Sequence, residues 1–190
     1  MTRQLAHMWD ASRCVNCGAC LVACASANYP QLAYEGAAIK RGLATNITRT
    51  YEEKATTTAL MLTQCQQCSA APCLVRCPVK AISRSEDGLV RTDEKKCIHC
   101  QTCVAVCPYG ARWNDPVTKV PKSCLGPTCM ALVAAGQDPA CVQACPATAR
   151  AFGDVDDKQS AIARRINAPG TRRIDIDKGT KPNFYAIEKA

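Results

Sequence analysis

The residues able to do chemistry in this chain are its cysteines, 16 in 190 residues, and they fall into four runs of four. The first is Cys14-x2-Cys17-x2-Cys20-x3-Cys24 and the second is Cys65-x2-Cys68-x4-Cys73-x3-Cys77. The third is Cys97-x2-Cys100-x2-Cys103-x3-Cys107 and the fourth is Cys124-x4-Cys129-x11-Cys141-x3-Cys145. Prolines 78, 108 and 146 follow the last cysteine of runs two, three and four. Three cysteines two residues apart curl a loop around one face of an iron–sulfur cubane, and the x3 gap starts a helix that carries the fourth to a neighbouring cluster. A disulfide framework would scatter its spacings. Tetrahedral zinc would pair C-x2-C knuckles four ligands at a time, and a redox dithiol needs only one or two cysteines. The spacing therefore predicts four 4Fe–4S clusters with no cysteine left over.

Pairing follows from adjacency. Between runs two and three lies Ala81-Ile82-Ser83, a turn at Glu86-Asp87-Gly88, then Leu89-Val90-Arg91-Thr92, which reads as strand, turn, strand. Runs two and three thus exchange fourth cysteines: Cys65, Cys68, Cys73 and Cys107 for cluster c, and Cys97, Cys100, Cys103 and Cys77 for cluster d. Runs one and four pair across this insertion: Cys14, Cys17, Cys20 and Cys145 for cluster a, and Cys124, Cys129, Cys141 and Cys24 for cluster b. The expected fold is α+β, with one bacterial-ferredoxin-like module (residues 1–60 plus 122–156) split by another (61–121). Residues 157–190 are expected to form a helix and an extended partner-binding tail.

The elements around the runs are modest. Only 5 % of residues are aromatic, so clusters rather than large side chains must hold the fold. Ala25 to Lys40 shows weak helical periodicity, and Thr56 to Thr63 reads as a strand. Residues 25–64 could serve equally as a partner contact or as a loop packed over the first module. Ala149 to Gly153 reads as a closing strand, Asp154 to Asp157 as an acidic turn, and Ser160 to Ile166 as a short helix. Gly170 to Ala190 reads as an extended arm. Backbone N–H groups of Val15, Asn16, Ile98 and His99 are candidate hydrogen-bond donors to sulfur. His99 reads as solvent-facing, His7 has no partner visible in the sequence, and Trp9 and Trp113 are placed to shield clusters or simply to pack.

The formal net charge is +8. That count treats cysteine as neutral. Sixteen thiolates and four oxidised cores of about +2 each bring the loaded protein to about zero, because cluster charge belongs in the sum. With no Lys/Arg stripe and no aromatic platform, no nucleic acid is expected as a partner. No apolar run reaches the length of a membrane span, and residues 1–10 have no signal-like apolar stretch. Two histidines cannot staff acid–base catalysis, and no phosphate or dinucleotide loop is present. This describes a conduit without catalytic residues. It is compatible either with a subunit of a complex or with a free polyferredoxin carrier.

Cys107-Pro108-Tyr109-Gly110-Ala111-Arg112, Asp115-Pro116-Val117-Thr118-Lys119, Asp138-Pro139-Ala140-Cys141, Phe152-Gly153-Asp154 and Gly179-Thr180-Lys181-Pro182 carry a resemblance. Together they resemble the four-cluster iron–sulfur subunit of the dimethyl sulfoxide reductase superfamily of molybdopterin oxidoreductases, most of all the polysulfide and thiosulfate reductase branch. The resemblance implies an electron-transfer subunit that links a molybdopterin-containing catalytic subunit to a quinone-reactive membrane subunit. It also implies the same pairing of runs. Association with a membrane would come through those partners, at the periplasmic face by export alongside the catalytic subunit, or at the cytoplasmic face. One departure is the opening of run four: the family has C-x2-C where this chain has Cys124-Leu125-Gly126-Pro127-Thr128-Cys129, and Gly126 and Pro127 suggest a bulged loop.

Overall fold

The computed structural model describes residues 3–34, 45, 47–53, 58–174 and 176–187. Its organising element is β1 (Leu5–Asp10), every residue of which is buried. β1 runs antiparallel to β8 (Arg150–Asp154) and parallel to β10 (Phe184–Ile187), and β10 runs antiparallel to β9 (Thr171–Arg173). The sheet order is therefore β8-β1-β10-β9.

The period-2 alternation of strands sorts the side chains of this sheet. Ala6 and Met8 of β1, Ala151 of β8 and Tyr185 of β10 point to one face and pack with Ile162 of helix α7 (Ala161–Ile166). Trp9 and Phe184 point the other way and pack with Cys20, Cys24 and Cys141. His7 stands opposite Phe152, and Trp9 stands opposite Arg150, on that same cysteine-facing side. The sheet is thus a floor, with α7 beneath it and the cysteine loops above. Fully burying side chains the size of Trp9, Met8 and Phe184 is worth about 1.5–3 kcal/mol each. The expected α7 starts where the acidic turn ends: Ser160 caps it, its hydroxyl accepting from Ala163 N at 3.1 Å.

Three hairpins and several short helices make up the rest. β2 (Ile47–Glu53) pairs with β3 (Thr58–Gln64), β4 (Ile82–Arg84) with β5 (Val90–Thr92), and β6 (Trp113–Asn114) with β7 (Pro121–Lys122), all antiparallel. The β4–β5 hairpin lies where the sequence predicts it, and Gly88 in its turn has φ 78°, a left-handed value that favours glycine. The strand read at Thr56 to Thr63 is β3; residues 54–57 lie outside the described residues. The helix read over Ala25 to Lys40 is instead α1 (Ala19–Asn28), which begins inside run one, followed by the single turn α2 (Pro30–Tyr34). Residues 35–40 lie outside the described residues. α3 (Pro72–Val75), α4 (Thr102–Ala105), α5 (Pro127–Ala134) and α6 (Ala140–Gln143) follow. α1 packs on α5 and α6, while α3 packs on α4.

The extended partner-binding arm expected over Gly170 to Ala190 is corrected by the structure as far as Ile187. The segment folds back as β9, a 3-10 turn at Ile176–Lys178 and β10, and buries Thr180, Asn183, Phe184 and Ala186 in this chain. Its reason is backbone accounting. The loop of run two lacks a ladder of its own, and the returning segment satisfies it. Ser69 N donates to Lys181 O at 2.8 Å, Ala70 N to Thr180 O at 2.9 Å, and Asn183 N to Gln66 O at 2.8 Å. Asn183 Nδ2 adds a bond to Gln67 O at 2.8 Å.

Candidate iron–sulfur centres

Runs one to three are wound by the same backbone device. Asn16, Gln67 and His99, the residues just before the second cysteines of runs one to three, are left-handed at φ 55°, 47° and 59°. Such residues turn successive N–H groups inward, a shape suited to anionic groups. The third cysteine then enters a short helix: Cys20 in α1, Cys73 in α3, Cys103 in α4 and Cys141 in α6. After the fourth cysteine of runs two, three and four comes proline, and then a left-handed residue at Lys80, Gly110 or Thr148. That twist lets the alanine four residues on donate to the cysteine sulfur: Ala81 N to Cys77 Sγ and Ala149 N to Cys145 Sγ, both at 3.2 Å.

Three concavities result. One is lined by Cys14, Cys17, Cys20 and Cys145, another by Cys65, Cys68, Cys73 and Cys107, the third by Cys77, Cys97, Cys100 and Cys103. They enclose similar spaces of about 390, 350 and 330 Å³, each partly open to solvent. Cys24, Cys124, Cys129 and Cys141 form the remaining group, the one in which all four cysteines are buried. Cys124 lies within electrostatic range of the other three. Cysteines of neighbouring groups pack together: Cys103 with Cys68 and Cys73, Cys124 with Cys65 and Cys107, and Cys20 with Cys141.

The lengthened opening of run four is a helix start rather than a bulge. Gly126 is the N-cap of α5 and Pro127 its first residue, so Cys129 sits in the first helical turn. Asn28, at the end of α1, holds it there: Asn28 Oδ1 accepts from Cys129 N at 3.2 Å, and Asn28 Nδ2 lies 3.3 Å from Cys129 Sγ. Gln64 Nε2 donates to Cys124 Sγ at 3.4 Å, and His7 Nε2 lies 3.5 Å from the same sulfur. His7 therefore has the partner that the sequence did not reveal. Burial first, and then the Arg150 charge, hold its pKa well below 6.5, so the ring is neutral at pH 7. His99 is exposed, as expected. Trp9 is fully buried and walls the Cys14 concavity, whereas Trp113 meets Tyr29 edge-on at 5.0 Å.

Two buried arginines were not singled out as site residues in the sequence. Arg112 is 3 % exposed and faces Cys73, Cys65 and Cys103; Arg150 is 4 % exposed and faces Cys141, Cys20 and Cys124. Burial would lower their pKa values, yet the surrounding thiolates outweigh it and push both up. Arg150 Nη2 donates to Gln64 Oε1. Arg112 Nη2 and Arg150 Nε and Nη1 find no hydrogen-bond partner among the described residues. Arg112 lies close enough to Cys73, and Arg150 to Cys141, for the sulfur to stabilise the charge, and the remaining donors suit an anionic group held among these cysteines. Burial pushes the Cys65 thiol up to about 12 and the Cys124 thiol well above its ordinary value, so a bound metal group would have to displace their protons. Among the described residues no three His, Cys, Asp or Glu side chains converge tightly enough for a single ion. The cysteines ring wider spaces, and the donor set fits a thiolate-held cluster.

The comparisons agree with this chemistry. The family model described as "4Fe-4S dicluster domain" matches residues 56–155, which span runs two, three and four. This protein belongs to that 4Fe–4S family. It is 34 % identical over 98 % of its length to the B chain of polysulfide reductase from Wolinella succinogenes, covering 95 % of that protein. It is 40 % identical over 66 % of its length to the iron–sulfur B subunit of a putative dimethyl sulfoxide reductase from Halobacterium salinarum, covering 53 % of it. It is 32 % identical over 96 % of its length to the B subunit of tetrathionate reductase from Salmonella typhimurium, covering 71 % of it. The protein thus groups with the iron–sulfur subunits of the dimethyl sulfoxide reductase superfamily and binds 4Fe–4S clusters. No helix among the described residues is long and apolar enough to cross a membrane.

Proposed function

We propose that this chain is the electron-transfer subunit of a membrane-linked molybdopterin oxidoreductase. In this reading it conducts single electrons between a molybdopterin (Mo/W) catalytic subunit and a quinone-reactive membrane subunit. It would hold four clusters: a on Cys14, Cys17, Cys20 and Cys145; b on Cys24, Cys124, Cys129 and Cys141; c on Cys65, Cys68, Cys73 and Cys107; d on Cys77, Cys97, Cys100 and Cys103. A bound 4Fe–4S group supplies one-electron redox chemistry, with its potential set by exposure, hydrogen bonds to sulfur and local charge.

The observation that carries the reading is that cysteines of neighbouring groups share one packing cluster at each step, d with c at Cys103 and Cys73, c with b at Cys65 and Cys124, b with a at Cys141 and Cys20. The two ends differ from the middle. Cys17 and Cys100 are the two exposed cysteines, and Val15 and Ile98 beside them are exposed apolar residues. Such ends suit two docking partners, one at each, while Asn28, Gln64, His7, Trp9 and Phe184 exclude water from the interior. The two-module organisation, 1–60 plus 122–156 around 61–121, is part of the proposal, with β9 and β10 added to the first module's sheet. Relatives that are named as subunits of reductases support a complex over a free carrier. The periplasmic face is the side proposed.

The test is anaerobic purification of the full chain with whatever accompanies it. Expected are about sixteen iron and sixteen labile sulfide per chain and a molybdenum- or tungsten-containing large subunit. A colourless zinc protein overturns the cluster assignment, and a stable lone monomer that is reducible by itself overturns the subunit assignment in favour of a free polyferredoxin.

A further inference from the structure

Arg112 and Arg150 occupy equivalent places in the repeat. Each is the fifth residue after the fourth cysteine of its run, in Cys107-Pro108-Tyr109-Gly110-Ala111-Arg112 and Cys145-Pro146-Ala147-Thr148-Ala149-Arg150. The same position after Cys77 holds Ile82, and after Cys24 it holds Tyr29, both buried. Four equivalent positions therefore carry two buried charges and two uncharged side chains, one of each to a pair of runs. The arginines also lie between the groups. Arg150 lines the concavity of Cys14, Cys17, Cys20 and Cys145 while facing Cys141 and Cys124 of the next group. Arg112 lines the concavity of Cys65, Cys68, Cys73 and Cys107 while facing Cys103 of the next.

We infer that Arg112 and Arg150 are positioning charges shared by two clusters apiece: Arg150 sets the potentials of a and b together, and Arg112 those of c and d. The inference rests on the proposed cluster assignment. Four thiolates around an oxidised core of about +2 leave each site near −2, so two such sites in contact repel. A guanidinium wedged between them offsets that repulsion in a region of low dielectric, where its effect is screened little. Reduction adds one more negative charge to a site. A fixed positive charge favours the more negative state, so each arginine raises the potential of both neighbours. Arg112 already lies against Cys73 and Arg150 against Cys141, and the buried donors Nε and Nη1 of Arg150 and Nη2 of Arg112 are where cluster or thiolate sulfur would accept. Arginine suits this role because its charge is not lost on burial.

The test is a redox titration, followed by electron paramagnetic resonance, of the cluster-loaded protein in its native complex, with iron and labile sulfide measured on every sample. Arg150→Gln is expected to lower two of the four midpoint potentials and Arg112→Gln the other two, with Arg→Lys at either site returning them towards wild type. Gln variants with full iron and unshifted potentials overturn the inference, as do Lys variants that shift as far as Gln. If a Gln variant fails to load clusters, its Lys counterpart decides. Full loading with wild-type potentials supports the shared charge, and equal loss of iron overturns it. A wild-type protein without clusters is a separate result: it removes the proposed function itself, whatever the arginine variants do.

Discussion

Asn28 holds Cys129 by two atoms at once, its Oδ1 accepting from the cysteine amide at 3.2 Å and its Nδ2 lying 3.3 Å from the sulfur. A third bond, Asn28 Nδ2 to Cys24 O at 3.1 Å, ties the same side chain to its own helix. One buried amide thus joins α1, which carries Cys20 and Cys24, to α5, which carries Cys129. Asn28→Leu keeps the γ-branched shape and removes every bond, leaving Cys129 N buried without that acceptor. The expected cost is about 1–3 kcal/mol, with one cluster signal altered and the others kept. Chemical unfolding together with paramagnetic resonance checks this, and wild-type stability with wild-type spectra would refute the clamp.

Gly126 is fixed by the same asparagine. A Cβ at Gly126 would meet Asn28 Oδ1 at 2.5 Å and Asn28 Cβ at 2.7 Å, closer than side chains approach. Gly126→Ala must therefore push α5 from α1, and overpacking of this kind costs about 1–3 kcal/mol. The expected outcome is lower iron content per chain. Gly136→Ala serves as the contrast for open space, because nothing lies within 4 Å of a Cβ there, although its φ of 74° adds backbone strain of its own. Equal iron content in the two variants would show that the Asn28 contact does not decide.

The ligand pattern was legible because cysteine spacing is local, and a local loop needs no distant partner to be recognised. The β4–β5 hairpin was legible for the same reason: Asp87-Gly88 closes a turn between two short strands, each with one buried aliphatic residue, Ile82 and Val90. β1 was not. Its six residues are all buried, so the alternation that marks a half-buried strand is absent, and its parallel partner β10 lies at the far end of the chain. Arg112 was on view in the motif Cys107-Pro108-Tyr109-Gly110-Ala111-Arg112, and its match to Arg150 at the same offset was the signal for both. Charge at a position otherwise filled by Ile82 and Tyr29 gains meaning only once burial is known.

The C-terminal segment misled because its apolar stretch, Phe184–Ile187, is short and follows a run of Gly, Pro and charged residues. Backbone and amide bonds to a distant loop hold it alongside the buried Phe184 and Ala186. Asn183 bridges β10 to the loop of run two, donating to Gln67 O at 2.8 Å and Ser69 Oγ at 3.0 Å. Thr180 lowers the ionisation cost of Cys68, whose thiol burial otherwise raises. Asn183→Ala should cost about 1–3 kcal/mol and loosen cysteines 65 to 77 more than cysteines 97 to 107. Hydrogen exchange over the two loops measures this, and equal loosening would refute the selective role.

Asp10 gives a pH-dependent contribution. Its carboxylate accepts from Ser12 N at 3.0 Å and Ser12 Oγ at 2.6 Å, and pairs with Arg165 Nη2 at 3.1 Å. Burial alone would raise the carboxyl pKa, but the Ser12 bonds and Arg165 outweigh it and hold it below 3.8. A carboxyl lowered on folding adds stability above its unfolded pKa, and that stability is lost as pH falls through the folded value. Arg165→Met should therefore cost about 1–2 kcal/mol at pH 7 for a partly exposed pair. The gap to wild type should narrow as pH falls below about 4. Anaerobic urea unfolding at several pH values reads the gap, and a gap constant with pH would assign it to packing.

Iron removal should unfold the protein unevenly. The apolar group around Trp9, Ile47, Leu62 and Phe184 is completed by Cys20, Cys24 and Cys141, and the one around Ile82 and Val90 by Cys68 and Cys103. The group beneath the sheet, made of Ala6, Met8, Ala151, Ile162 and Tyr185, contains no cysteine. Taking the clusters away leaves the first two with voids and with Arg112 and Arg150 as buried charges lacking their counter-charge, at a cost of several kcal/mol each. Anaerobic chelation should therefore raise hydrogen exchange first in residues 65–77, 97–107 and 124–145, while β1, β8 and α7 keep protection longest. Uniform protection before and after iron loss would refute the claim that clusters complete this core, because a core that stands on side chains alone has no reason to notice their removal.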